Sequence, residues 1–557
     1  MYQLSAAVTL FRAYLHELMT KEVLLKVSEG WLQGQKLPLV TGDGYYYAFK
    51  GIPYAAPPVG KLRFKAPEPP LPWSGVRNAR DHGPICPQYS DLTKESTPNS
   101  EDCLFINVYT PTLEPSASLP ILVYIHGGAF SGGSGNDDMY GPDFLIPHAV
   151  IVVTINYRLG AFGFLCMDTE DVPGNAGLKD QVAALQWIQR NIKNFGGDPK
   201  RVTTIGQSAG AASIGLHVMS PMSKGLFQRA IMMSGSPFCD WAISYKPELR
   251  PYILVKELGL DSQDPDTVLE FLQSVPVEKL LNKYPPLFGF EELLNSSLFR
   301  MFHFSPVVEK FSTPNNFLTQ DPYKSLKLNN VNKVDILIGY TNQELLLVLK
   351  QILESKMKME NKYPEMIVPE KILHSINPNM VLKVAKKIRN HYFGNDSINV
   401  NNVKDFIRYG NDFFFYYDIN RFINKFTDFN SSRYYFYKLS CESNRNYYAR
   451  DGASFELYGP AHMDDLLYLF HANALNMTLS KESKEYELIR LLTTLFTNFA
   501  KYGTPTPQLY QDVFWPEYDG KTKKYMNVKN SLIPSERPDE EVVDFWKEVF
   551  EYVGMEY

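Results

Sequence analysis

The chain has 557 residues, with 56 basic and 61 acidic side chains and a formal net charge of −5. Charge this close to balance leaves no electrostatic footprint for nucleic acid. No stretch approaches the roughly 18 consecutive apolar residues of a membrane span. The 5 cysteines are an odd number, so they do not form a complete disulfide framework. No zinc-type Cys/His spacing, Walker loop or dinucleotide glycine fingerprint is present, and no metal or cofactor is implied.

In chain order, Leu4, Ala7, Val8, Phe11, Tyr14, Leu15 and Leu18 recur at helical spacing, predicting an amphipathic helix over residues 1–21. Arg12 interrupts any signal-peptide core. The expectation is an uncleaved N-terminus on an intracellular protein. This helix packs on the body or rests on a membrane surface; secretion is the alternative. Next, Ile121–Ile125 reads as a buried strand and runs into His126-Gly127-Gly128-Ala129-Phe130. Small residues after a strand let backbone N–H groups converge on one point, as an oxyanion requires.

Val202–Gly206 is a second apolar strand, and Ala209–Met219 a small-residue helix. Between them lies Gly206-Gln207-Ser208-Ala209-Gly210. Strand, tight turn, helix with Gly-x-Ser-x-Gly at the turn exposes the Ser208 hydroxyl as a nucleophile. A base and an acid should then follow in the order serine, acid, histidine. Strand Val334–Gly339 leads to Glu344, and Gly459-Pro460-Ala461-His462 places a histidine in a loop. The catalytic candidates are Ser208, Glu344 and His462.

With these residues in place the chain resembles the type-B carboxylesterases, the α/β-hydrolase family that includes cholinesterases, and among them insect α-esterases and their lepidopteran relatives. The resemblance rests on the stretches 47–60, 62–67, 100–109, 126–130, 156–160, 174–181 and 195–198 and on the serine motif. It implies an α/β-hydrolase fold over residues 22–557, with a large, mostly parallel central sheet flanked by helices and long insertions forming a gorge. It also implies a Cys86–Cys103 disulfide and scaffold ion pairs Arg63–Glu101 and Arg158–Asp180. Oxyanion donors would be the N–H groups of Gly128, Ala129 and Ala209. The family commonly has glycine after its acid, where this chain has Leu345.

The substrate class follows from departures within the family. No tryptophan lies between Cys86 and Cys103 to stack on a quaternary ammonium, and Gln207 stands where cholinesterases have glutamate. The expected substrate is a neutral, apolar carboxylic ester, hydrolysed through an acyl-enzyme in detoxification or in odorant or lipid ester turnover. Phe130, Gln207 and Trp241 are expected to line the pocket. Juvenile hormone esterase is the alternative activity, because Gln207 together with Gly459-x-x-His462-x-x-Asp465 matches the pattern of those enzymes. The non-enzyme alternative is a cholinesterase-like adhesion protein.

Overall fold

The computed structural model describes residues 23–88, 100–281, 303–310, 315–328, 330–351, 357–427 and 432–556. The helix expected over residues 1–21 lies outside them.

Runs such as Leu119–Ile125 (LPILVYI) and Ile151–Ile155 (IVVTI) are apolar without alternation, the pattern of strands buried on both faces of a parallel sheet. They are β6 and β7 of a thirteen-stranded sheet. The others are β1 (Val23–Val27), β2 (Gly30–Pro38), β3 (Tyr45–Pro53), β4 (Val76–Asn78), β5 (Phe105–Thr110), β8 (Gly197–Gln207), β9 (Arg229–Met233), β10 (Asp335–Thr341), β11 (Tyr434–Leu439), β12 (Lys524–Val528) and β13 (Leu532–Glu536). Their order is β1-β2-β3-β5-β7-β6-β8-β9-β10-β11-β12-β13, with β4 beside β2. From β7 to β12 every pairing is parallel. β1, β2, β3 and β5 at one end and β13 at the other are antiparallel. Strand β8 is longer than the sequence predicts, because Gly197 already pairs with Leu119.

Helices cover both faces. The six that bear on the site are α1 (Ala176–Asn191), α2 (Ala209–Met219), α3 (Val403–Asn411), α4 (Tyr417–Phe426), α5 (Lys484–Tyr502) and α6 (Glu540–Tyr552). Successive strand residues point to opposite faces. Ile121, Val123 and Ile125 accordingly join the core beneath α1 and α2, while Leu122 and Tyr124 join the core beneath α5. A third cluster packs α3 and α6 under Leu345 and Leu346.

Cys86 and Cys103 are disulfide-bonded. Cys166, Cys239 and Cys441 are buried free thiols. Burial raises all three, Cys166 and Cys441 to about 12, so they stay protonated and inert. No helix among the described residues is long and apolar enough to cross a membrane.

Both ion pairs are present. Arg63 bonds both Glu101 oxygens at 2.7 and 2.6 Å. Arg158 clamps Asp180 of α1 at 2.8 and 2.7 Å, with side chains 3% and 0% exposed. Removing one member of a buried pair strands the other charge. Arg158→Leu is therefore expected to lower stability by about 3–5 kcal/mol in urea unfolding. A loss below about 1 kcal/mol would mean that Asp180 finds other partners.

Candidate active site

The parallel strands end at one level. Ile125 of β6 is level with Gly206 of β8, and Gly206 and Gln207 with Met232 and Met233 of β9. Gly339 of β10 is level with Met233. The loops that follow β6, β8, β9 and β10 therefore meet at the carboxyl edge of the sheet, where open α/β folds bind ligands.

Ser208 sits on the sharp turn between β8 and α2. Its φ is 60° and its ψ −125°, a conformation that costs a non-glycine residue on the order of 1–3 kcal/mol. Neighbours hold it there: its N–H donates to Met233 O at 2.8 Å, and its carbonyl accepts from Ala212 N at 2.9 Å. The flanking glycines are required by space. A Cβ on Gly206 would lie 2.7 Å from the Gly210 carbonyl carbon, and one on Gly210 would lie 2.0 Å from Ile125 O.

The loop after β6 turns through Gly128, Ala129 and Phe130, with φ of 110°, 53° and 59°. Gly128 O accepts from Ser131 N and Gly132 N, and Phe130 O from Gly160 N at 2.7 Å. Among the described residues, no protein acceptor bonds the N–H groups of Gly128, Ala129 or Ala209. His126, just before this loop, is fully buried and stacked on Tyr157 with ring centroids 4.4 Å apart. Its Nδ1 pairs with Gly127 O at 2.8 Å, and burial lowers its pKa to about 4. That makes it a neutral packing residue at physiological pH.

Glu344 follows β10 and is 1% exposed. Its Oε1 accepts from Ser234 Oγ at 2.6 Å and Thr341 N at 2.7 Å. Its Oε2 lies 2.6 Å from His462 Nδ1. The two loops are also joined through backbone. His462 N donates to Glu344 O, Gln343 N donates to Pro460 O, both at 3.1 Å, and Gln343 bridges Ala461. Leu345 fits after the acid because α3 presents Gly410 there; a Cβ on Gly410 would be 2.0 Å from Leu345 Cδ2. Leu345 N in turn donates to Asn411 Oδ1 at 2.7 Å.

Two more carboxyls lie close by. Asp464 accepts from Ala461 N and Tyr448 N, each at 2.8 Å, yet burial pushes it up to about 7. Burial and the nearby Glu344 charge hold Asp465 well above the usual carboxylate range. Of the three, Glu344 is the one paired with the imidazole.

A carboxylate on Nδ1 fixes the proton there and leaves Nε2 with its lone pair. In this structure Nε2 faces the Gln207 side-chain amide nitrogen at 3.1 Å, which donates to it. Among the described residues no hydrogen bond joins Ser208 Oγ to His462. In ligand-free sites such bonds are often long and tighten with substrate.

An aromatic wall completes the site. Phe415 packs on His462 with centroids 4.8 Å apart, Trp241 on Phe415 at 6.3 Å, and Phe130 on Trp241 at 6.5 Å. Trp241 Nε1 donates to Phe414 O at 2.9 Å. Phe414 and Phe415 belong to a single π-helical turn, Asp412–Tyr416, between α3 and α4; such bulges are frequent at functional sites. Sequence reasoning misses Ser234 and Phe415. Ser234 carries a signal, since it follows an apolar strand and precedes Gly235. Phe415 carries none, lying in an aromatic run that reads as core.

The model of the carboxylesterase family matches residues 21–546. Esterase B1 of Culex pipiens is 34% identical over 95% of this chain and 98% of that protein. Juvenile hormone esterase of Heliothis virescens is 35% identical over 86% of each chain. The crystal structure of juvenile hormone esterase from Manduca sexta, with OTFP covalently attached, superposes with a TM-score of 0.87 at 30% identity, over 95% of this chain and 100% of that one. The α/β-hydrolase architecture, the strand-end site and these relatives converge: the chain belongs to the carboxylesterase family and is a carboxylic ester hydrolase.

Proposed function

We propose that Ser208 is the nucleophile of a two-step ester hydrolysis, with His462 as general base and acid and Glu344 as the group that orients it. The observation that carries this reading is the 2.6 Å bond from His462 Nδ1 to buried Glu344, formed beside the strained Ser208 turn. An alcohol is a weak nucleophile at neutral pH. Substrate entry displaces the Gln207 amide from Nε2, and Nε2 takes the Ser208 proton as Oγ attacks the ester carbonyl. The N–H groups of Gly128, Ala129 and Ala209 receive the oxyanion. Collapse passes the proton from His462 to the leaving alcohol and leaves an acyl-Ser208. Water then attacks the acyl group by the same base, releasing the acid and restoring Ser208.

The favoured substrate is a neutral ester with an apolar acyl or alcohol group. The wall of Phe130, Trp241 and Phe415 supports this, as does a neutral Gln207 beside the nucleophile. Trp241→Leu is expected to change the ratio of kcat/KM between nitrophenyl hexanoate and nitrophenyl acetate roughly tenfold, about 1.4 kcal/mol. An equal loss on both esters would place Trp241 outside the pocket.

The narrower reading is juvenile hormone hydrolysis. It is favoured by relatives of that name in Heliothis virescens and, at 36% identity, in Tribolium castaneum. A panel of esters including juvenile hormone tests it. A kcat/KM for the hormone at least about tenfold above that for simple nitrophenyl esters supports it; a lower value assigns the chain to general ester turnover.

A further inference from the structure

The π-helical turn Asp412–Tyr416 is tied at both ends to the loop that carries Glu344. Just before it, Asn411 Oδ1 accepts from Leu345 N at 2.7 Å, and Asn411 Nδ2 faces Gln343 Oε1 at 3.5 Å. One side chain thus spans the two residues that flank the acid. At the end of the turn, the Tyr416 hydroxyl donates to Thr341 O at 3.0 Å, and Thr341 N is itself a donor to Glu344 Oε1. Asn411 and Tyr416 are 5% and 4% exposed, so bulk water does not compete for either bond.

The form of the helix explains why both reach one loop. A π-helical turn closes i→i+5 hydrogen bonds, so residues five apart, such as Asn411 and Tyr416, come onto one face. In an α-helix the shared face belongs to residues three and four apart. The turn is braced from behind. Phe413 stacks on Trp546 of α6 at 5.4 Å, Tyr392 donates to Asp412 at 3.0 Å, and Tyr416 stacks on Tyr340 of β10 at 4.4 Å. Between its two ties the turn sets Phe415 on the His462 ring and offers the Phe414 carbonyl to Trp241.

We propose that Asn411 and Tyr416 are positioning residues for ester hydrolysis, acting through the Thr341–Leu345 loop to hold the Glu344 carboxylate on His462 Nδ1. The turn makes one body of the acid–base pair and the aromatic wall. The inference rests on the roles proposed for Glu344 and His462. Its physical content lies largely in Leu345 N. Buried donors are rarely left unpaired, so without Asn411 the loop moves to find that N–H another acceptor, and the adjacent carboxylate moves with it. A misplacement of about 1 Å in a catalytic group costs on the order of a hundredfold in rate.

The test is steady-state hydrolysis of nitrophenyl butyrate by the full chain carrying Asn411→Leu, Asn411→Asp or Tyr416→Phe, each alone and combined with Glu344→Gln. Asn411→Leu is expected to lower kcat by about 30- to 100-fold with KM within about twofold. Asn411→Asp keeps an oxygen to accept from Leu345 N and should recover at least about tenfold of that loss. Tyr416→Phe removes only a hydroxyl and is the variant least able to disturb folding; it should lower kcat about three- to tenfold. In the Glu344→Gln background each of these losses should shrink below about twofold, because residues that act through one group do not add. Losses of equal size with and without the Glu344 carboxylate would mark a merely structural role and overturn the inference. So would a loss carried by KM, or parent kcat in Tyr416→Phe. Near-normal turnover in Glu344→Gln alone overturns instead the reading of Glu344 on which the inference rests.

Discussion

Replacing Ser208 with alanine is expected to reduce nitrophenyl butyrate turnover by roughly four to six orders of magnitude. Stability should stay within about 1 kcal/mol, because alanine meets the same left-handed backbone cost at this turn as serine does. Glu344→Gln should cost roughly four orders of magnitude, and the reason lies in its hydrogen bonds. The carboxylate accepts from Ser234 Oγ, Thr341 N and His462 Nδ1. A glutamine offers one oxygen and one NH2 group. With its oxygen toward Ser234 and Thr341, its NH2 faces Nδ1 and forces the proton to Nε2. The imidazole can then no longer accept from Ser208. The double variant should be no slower than Ser208→Ala alone, since the residues act as a unit. Near-normal turnover in Glu344→Gln would place the acid elsewhere.

Gly128→Ala is expected to lower kcat by about a hundred- to a thousandfold, the loss associated with one oxyanion donor. Gly128 has φ 110°, and an added Cβ would lie 2.1 Å from Gly132 O. That oxygen is backbone and belongs to the turn itself, so the turn must open and carry the Gly128 N–H away. KM should move little, because the donor acts on the developing charge. Ala129→Gly is the control. It keeps its N–H and is relieved at φ 53°, while the unfolded chain gains freedom. The opposing terms leave stability within about 1 kcal/mol. A Gly128→Ala enzyme with unchanged kcat would remove this loop from the oxyanion site.

What the sequence makes legible is what local sterics and strand order impose. Gly206 can be read from a linear motif because its Cβ would meet the backbone of Gly210 four residues on, whereas Gly210 answers to Ile125 on the neighbouring strand. Glu344 is legible because it follows a buried strand whose end must meet the Ser208 turn. His462 is legible from a glycine-marked loop in the right chain order. The parallel centre of the sheet follows from runs such as IVVTI, which have no polar face to expose. The missing information is tertiary. Ser234 reaches Glu344 across 110 positions of sequence. Phe415 reaches His462 from a π-helical turn that nothing in its aromatic surroundings announces. The accommodation of Leu345 depends on Gly410, which lies on a different element. The pairing of Gln207 with His462 Nε2 depends on a rotamer, not on a motif.

Ser208 as the acylated nucleophile is tested most directly by a rapid-quench burst with a nitrophenyl ester, followed by intact-mass and peptide mapping of the trapped chain. A burst of nitrophenol approaching one equivalent per chain is expected, with a single acyl adduct on the peptide that carries Ser208, both absent in Ser208→Ala. Steady hydrolysis without an adduct, or an adduct on any other residue, would contradict it.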